Sequence, residues 1–352
     1  MHRSYLTTPP LVTLGEGNTP LVKSRRIGPA LGLPNLYFKL ENLNPSGSYK
    51  DRFAAALISD MVREGHKICL ATSSGNTGAA LAAYSAAAGI RCIILVVDGA
   101  PEPKLKQMQL YGAQLLMIRD FGKSAAVTEQ VFGLLQALSS EKGIPLPISA
   151  YKFCPPGMKG VETISHEIVD TLGGNDLEIL VPAGGGGLTL AVANGVSSTG
   201  AAAKVHCVQP AGNDTIASSL RNGVPARAAD RATTRISGLQ VANVLDGQEV
   251  VAACSALGGT GYTVSDESVF DCHRELAVKE GIFSEPAGAV ALAGLKVALE
   301  KGEADPGKNY VCLVTGSGFK DMAAVDAGFA LPPVGITPVE SALETIKNIF
   351  NN

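Results

Sequence analysis

Short apolar runs bounded by turn residues alternate along the chain with longer stretches of helical periodicity. Runs at 36–40, 67–72, 91–97, 113–118, 177–182, 204–208 and 310–314 have the length and composition of buried strands. Helices are expected at 79–88, 104–111, 124–141, 161–172, 188–196, 249–257, 267–280 and 286–299. Strand and helix alternating at this spacing predict βαβ units and parallel sheets. Pro155-Pro156-Gly157 reads as a break between two such blocks, and the stretch 213–234 as partly loop. A closing helix is expected over 339–350, with Leu343, Ile346 and Phe350 on one face. The expected fold class is α/β, with two doubly wound parallel sheets and a ligand in the cleft between them. Residues 1–55 with 156–352 are expected to form the larger unit, and 56–155 a smaller, mobile one.

Composition narrows the function. Of 352 residues, 46% are hydrophobic and 40 are glycine, which suits helices packed closely through Ala and Gly. A net charge of −3 with no basic stripe argues against nucleic acid or an acidic membrane as partner. No apolar run approaches the roughly 20 residues that span a bilayer, and residues 1–20 lack the apolar core of a signal peptide. Seven dispersed cysteines without a CxxC pair read as reduced, core-filling thiols of a cytoplasmic protein. The five scattered histidines give a metal site no support.

Five stretches carry candidate chemistry. Pro45, Ser46 and Gly47 read as a turn, followed by a helix over 52–58 with Ser48 as its N-cap. Lys50 then falls in the first helical turn, where a cation is electrostatically disfavoured, and a neutral amine is what Schiff-base chemistry requires. Gly184, Gly185, Gly186 and Gly187 lie between a strand and a helix, where the backbone can approach a phosphate closely; a tight packing turn is the alternative. This loop lacks both the GxGxxG pattern with a ribose-binding acid and the Gly-Lys-Ser/Thr of a nucleotide loop, so a monophosphate cofactor fits better. Ser73 to Thr77 form a second strand-to-helix turn able to bind a carboxylate, with ordinary capping by Ser73 or Ser74 as the alternative. Thr315 offers a hydroxyl at a strand's carboxyl end, and Glu285 opens a helix whose dipole its charge would complement. A lysine, a phosphate cup, a carboxylate loop and a hydroxyl together point to pyridoxal 5′-phosphate.

The chain resembles the fold-type II pyridoxal-phosphate enzymes, the family of tryptophan synthase β, cysteine synthase, threonine synthase and the serine/threonine dehydratases. The resemblance runs from Gly15-Glu16-Gly17-Asn18-Thr19-Pro20-Leu21 to the tail, and is most specific at Asn44-Pro45-Ser46-Gly47-Ser48-Tyr49-Lys50-Asp51-Arg52. It implies that Lys50 binds the cofactor covalently and later moves protons at the substrate's Cα. It implies that Asn76 meets the cofactor's 3′-oxygen, that Ser74, Gly75 and Thr77 hold the carboxylate of a small amino-acid substrate, and that Gly184–187 cradle the phosphate. Thr315 would face the pyridine nitrogen. A neutral hydroxyl there makes the ring a weaker electron sink, which favours elimination or replacement over transamination. A homodimer is the family expectation.

The subfamily signals are mixed. Asn18-Thr19-Pro20-Leu21, Ser74-Gly75-Asn76-Thr77 and Thr315-Gly316-Ser317-Gly318-Phe319-Lys320-Asp321 resemble threonine synthases; Gly184-Gly185-Gly186-Gly187-Leu188 and Glu285-Pro286-Ala287-Gly288-Ala289 resemble dehydratases. Threonine synthases acting on O-phosphohomoserine place an arginine before the helix that corresponds to 161–172; here Pro156-Gly157-Met158-Lys159-Gly160 has none. A phosphate dianion would lose a strong bidentate contact, unless Lys104 and Lys159 replace it. The reading is a dehydratase acting on a β-hydroxy amino acid, with Met158 suited to an apolar substituent such as a methyl or aryl group. Threonine synthase, or another replacement enzyme, is the alternative.

Overall fold

The computed structural model describes residues 8–100, 102–329 and 335–350. The first half of the chain forms β1 (Leu21–Lys23), α1 (Ile27–Ala30), β2 (Leu36–Leu40), α2 (Lys50–Arg63), β3 (Ile68–Thr72), α3 (Asn76–Ala88), β4 (Arg91–Val96), α4 (Glu102–Leu110), β5 (Gln114–Met117), α5 (Ala125–Lys142) and α6 (Pro155–Leu172). There follow β6 (Leu177–Pro182), α7 (Gly187–Thr199), β7 (Lys204–Pro210), α8 (Ala217–Asn222), α9 (Gly247–Ala256), β8 (Gly261–Val264) and α10 (Asp266–Glu280). Then come α11 (Val290–Glu300), β9 (Asn309–Val314), α12 (Met322–Gly328) and α13 (Val339–Phe350).

The strands form two sheets. One is six-stranded in the order β1-β2-β9-β6-β7-β8, parallel throughout except for the β1 edge; the other is three-stranded and parallel, β3-β4-β5. Parallel neighbours need crossovers, and the helices supply them while covering the sheets. β6 is buried at every position, as a strand covered on both faces should be.

α2 is the element between the two sheets. Residues 51–59 are buried, and α2 touches both α3 and α6. Small residues allow the close crossing: a Cβ at Gly160 would lie 2.1 Å from the Arg52 carbonyl oxygen, and one at Gly157 would lie 2.5 Å from Phe53. The charged residues on α2 are equally enclosed. The Arg52 guanidinium lies between Glu41 and Glu167, with Lys39 beside Glu167, all four buried.

Several local expectations need correction. Ser48 does not cap α2; Tyr49 holds that position without a side-chain bond, and Ser48 pairs instead with Gly316. The Asp51 carboxylate takes over the loop's N–H groups from inside the first turn, accepting from Ser46 N at 3.0 Å and Ser48 N at 3.4 Å. Pro155-Pro156-Gly157 is not a break but the first turn of α6, where proline's missing N–H costs nothing. The strands β1 and β8 and the helix α8 were not expected. The segment 286–299 begins as a 3₁₀ turn, Pro286–Ala289, before α11. α13 forms over the expected residues, and Leu343, Ile346 and Phe350 are exposed along it. All seven cysteines are buried with free thiols.

Candidate active site

A cavity of about 310 Å³ is lined by residues that follow the carboxyl ends of β2, β3, β6 and β9. Lys50 reaches it from the first turn of α2. The preceding loop turns at Gly47 with φ +93°, a conformation that glycine adopts without strain. That loop is strapped to the one after β9: Tyr49 N donates to Thr315 O at 3.1 Å, and Ser317 N donates to Gly47 O at 2.9 Å. Because β2 and β9 are parallel neighbours, Lys50 and Thr315 arrive at the same sheet end although 265 positions apart in sequence. The Lys50 ammonium donates to Ser149 Oγ at 2.8 Å and lies 4.5 Å from the centre of the Tyr49 ring. Next to it, burial pushes the Asp51 carboxyl up to about 6, against the opposing pull of its hydrogen bonds from Ser46.

The turn between β3 and α3 divides its work. Ser73 Oγ accepts the Gly78 N–H at 3.0 Å, which is the ordinary capping role, and Ser74 Oγ accepts the Val97 N–H at 3.1 Å. Gly75, Asn76 and Thr77 line the cavity. Among the described residues, none accepts a hydrogen bond from the N–H of Asn76 or Thr77, which leaves two donors at a helix start for an anion. Asn76 Nδ2 donates to Glu285 Oε1 at 2.8 Å, joining the β3–α3 turn to the loop that also holds Gly316.

Gly184 to Gly187 form the opposite wall. Gly186 has φ +99°, and a Cβ on Gly187 would lie 2.8 Å from the Ser149 carbonyl oxygen, so side chains are excluded on steric grounds. Among the described residues, none accepts from the N–H groups of Gly184–187, and these donors gather at the start of α7. Asp246 fixes the wall from behind. Its N–H donates to Gly185 O at 3.1 Å, and its carboxylate accepts from Tyr151 N at 2.7 Å and Lys152 N at 3.0 Å. Burial raises the Asp246 carboxyl, and those two backbone donors pull against it.

The structure thus gathers Lys50, Gly75, Asn76, Thr77, Gly184–187 and Thr315 around one cavity, with Ser74 turned to Val97 behind the loop. Lys104 lies on α4, and its side chain is outside the described residues. Two residues weighed for the substrate are elsewhere. Lys159 is exposed on α6 and pairs with Glu162 at 2.9 Å. Met158 is fully buried behind Ser149, its Sδ 3.6 Å from Ser149 Oγ. Sequence reasoning missed Ser149 and Asp246 and gave Glu285 only a dipole role. Nothing in Pro147-Ile148-Ser149-Ala150 marks a site, and Glu285, between α10 and the turn Pro286–Ala289, reaches the end of β9 only through space, its N–H donating to Gly316 O.

Pyridoxal phosphate suits this donor set. Free backbone N–H groups at a glycine loop match a phosphate, an amine shares the cavity for the aldehyde, and Thr315 brings a hydroxyl to the same lining. Residues 12–316 match the family described as pyridoxal-phosphate dependent enzyme. A threonine synthase of Halalkalibacterium halodurans is 32% identical over 331 residues, covering 92% of this chain and 90% of that one. Threonine deaminase isoform 2 from Solanum lycopersicum superposes with a TM-score of 0.73 at 24% identity, over 89% of this chain and 88% of that one, a likeness of fold. A T.th. threonine deaminase does so with a TM-score of 0.70 at 28% identity, over 85% and 92%. With the site's donors and the match over most of its length in agreement, the chain belongs to the pyridoxal-phosphate dependent enzymes of fold-type II, and its cofactor is pyridoxal 5′-phosphate.

Proposed function

We propose that the protein removes water from a β-hydroxy amino acid, giving a 2-oxo acid and ammonia. One observation carries the reading: among the described residues lining the cavity, Lys50 is the only cation, and the Glu285 carboxylate faces the same space. A substrate bearing a phosphate dianion would need a charge-assisted partner there. Lys159 is held on the surface by Glu162, and Lys320, in an adjoining hollow, donates to Gln107 Oε1 at 2.9 Å. A neutral hydroxyl as leaving group suits the cavity better.

When bound, the cofactor supplies the electron sink that acidifies the substrate's Cα–H. The chain's own residues do the rest. Lys50, whose amine shares the cavity, would hold the cofactor covalently and serve as the base at the substrate's Cα. The free N–H groups of Gly184–187 would hold the phosphate, and Thr315 would supply a neutral hydroxyl partner for the ring. Asn76, kept in place by Glu285, would be positioned to orient the cofactor. The N–H groups at Asn76 and Thr77, with Gly75 beside them, would receive the substrate carboxylate. The β3–β5 sheet, part of the smaller unit expected over 56–155, would carry that loop over the bound substrate and exclude water.

A second reading, threonine synthase, is favoured by the name of the H. halodurans relative. The two separate on product. The holoenzyme is given L-serine, L-threonine and threo-phenylserine, and 2-oxo acid is measured with ammonia. Formation of both supports the dehydratase; inertness to all three overturns it.

A further inference from the structure

Ser149 lines the cavity, and its hydroxyl is the group to which Lys50 Nζ donates, at 2.8 Å. The other half of its hydrogen bonding is left loose. The nearest acceptor for the Ser149 O–H is the Met158 thioether at 3.6 Å, and sulfur of that kind accepts weakly. An oxygen entering the cavity can therefore draw that hydrogen away at little cost. The hydroxyl's position, by contrast, is tightly held. The adjacent N–H groups of Tyr151 and Lys152 are bound by the buried Asp246 carboxylate, and the Ser149 carbonyl abuts Gly187. A hydroxyl fixed in place but free to turn its proton is a relay.

Resting on the dehydratase reading, we propose that Ser149 is a further catalytic residue that passes a proton from Lys50 Nζ to the departing β-hydroxyl. The transfers balance. Lys50 takes the Cα proton, and the Cα–H electron pair becomes the Cα–Cβ double bond. The Cβ–O bond breaks onto oxygen, which takes the Ser149 hydrogen and leaves as water. Ser149 recovers a hydrogen from the Lys50 ammonium, which returns to the neutral amine. Hydroxide is a poor leaving group, so protonation of the oxygen is the step that benefits from a positioned acid.

The test compares leaving groups in the holoenzyme of wild type, Ser149→Ala and Ser149→Thr. With a β-hydroxy substrate, Ser149→Ala should lose about 100-fold or more in kcat, and Ser149→Thr, which keeps the hydroxyl, should recover most of it. With β-chloroalanine, whose chloride leaves without a proton, the loss should be only a few-fold. Two readouts do not depend on turnover to product. The visible absorption band should show equal cofactor loading in all three proteins, and the hydroxy substrate recovered from Ser149→Ala in deuterium oxide should carry deuterium at Cα. Equal losses on hydroxyl and chloride substrates, or no deuterium at Cα, would overturn the relay. If wild type releases no 2-oxo acid from any β-hydroxy substrate yet turns over β-chloroalanine, it is the dehydratase reading that fails, and the relay with it.

Discussion

Arg52 is two positions beyond Lys50 on α2, and its surroundings set how firmly that helix start is held. The guanidinium donates to Glu41 through Nε at 2.8 Å and Nη2 at 2.7 Å, and to Glu167 through Nη1 at 2.5 Å and Nη2 at 2.8 Å. A fifth bond reaches Thr163 Oγ1 at 2.8 Å. Two cations, Lys39 and Arg52, balance two carboxylates, Glu41 and Glu167, so the buried group is neutral. Arg52→Met removes one cation and leaves one net negative charge enclosed, with Glu41 fully buried. Breaking a buried pair this way costs about 3–5 kcal/mol. Unfolding entropy of about 2.1 cal/mol/K per residue gives about 0.7 kcal/mol/K for this chain, so the midpoint should fall by about 4–7 °C. Differential scanning calorimetry of the two proteins reads this directly. Adding Glu41→Gln should return part of the loss, because it removes the charge left unpaired. A midpoint within about 1 °C of wild type would refute the assignment of a strongly coupled charge group beneath Lys50.

Gly160→Ala should push α2 from α6, since the new Cβ would meet the Arg52 carbonyl at 2.1 Å; a stability loss of about 1–3 kcal/mol by denaturant titration is expected, and none would mean the crossing is looser than described. Asp51 gives a pH signature. A carboxyl raised from 3.8 to about 6 contributes stability that is complete below 3.8 and is lost as pH rises through about 6. The stability difference between wild type and Asp51→Asn should therefore move in the variant's favour by about 2 kcal/mol between pH 4 and pH 7; a difference independent of pH would contradict the burial argument. Lys50→Ala should lose both the visible band of covalently held cofactor and turnover, and steady turnover in that variant would remove Lys50 from the chemistry.

The fold was legible where local pattern decides it. Branched apolar runs between helical segments placed β2 to β7 and β9 within a residue or two, and the glycine and lysine motifs located both walls of the cavity. What escaped was decided by packing between distant segments. β8 has four residues and pairs only with β7, so its signal lies in its neighbour. Ser48 looks like a cap, but its backbone is needed by Gly316 and the N–H groups go to Asp51. Ser149 gains meaning only because Asp246, 97 positions later, holds its segment against the glycine loop. Sequence position alone points Met158 toward the substrate, whereas its helix turns it into the core.

The leaving group separates the two readings, and one comparison of substrates distinguishes them. Purified holoenzyme is given L-threonine, threo-phenylserine and O-phosphohomoserine in parallel, with 2-oxo acid, threonine and inorganic phosphate quantified and kcat/KM obtained for each substrate. A dehydratase should give 2-oxo acid from a β-hydroxy amino acid and release no phosphate. Phosphate and threonine formed from O-phosphohomoserine, with no 2-oxo acid from either hydroxy substrate, would contradict it.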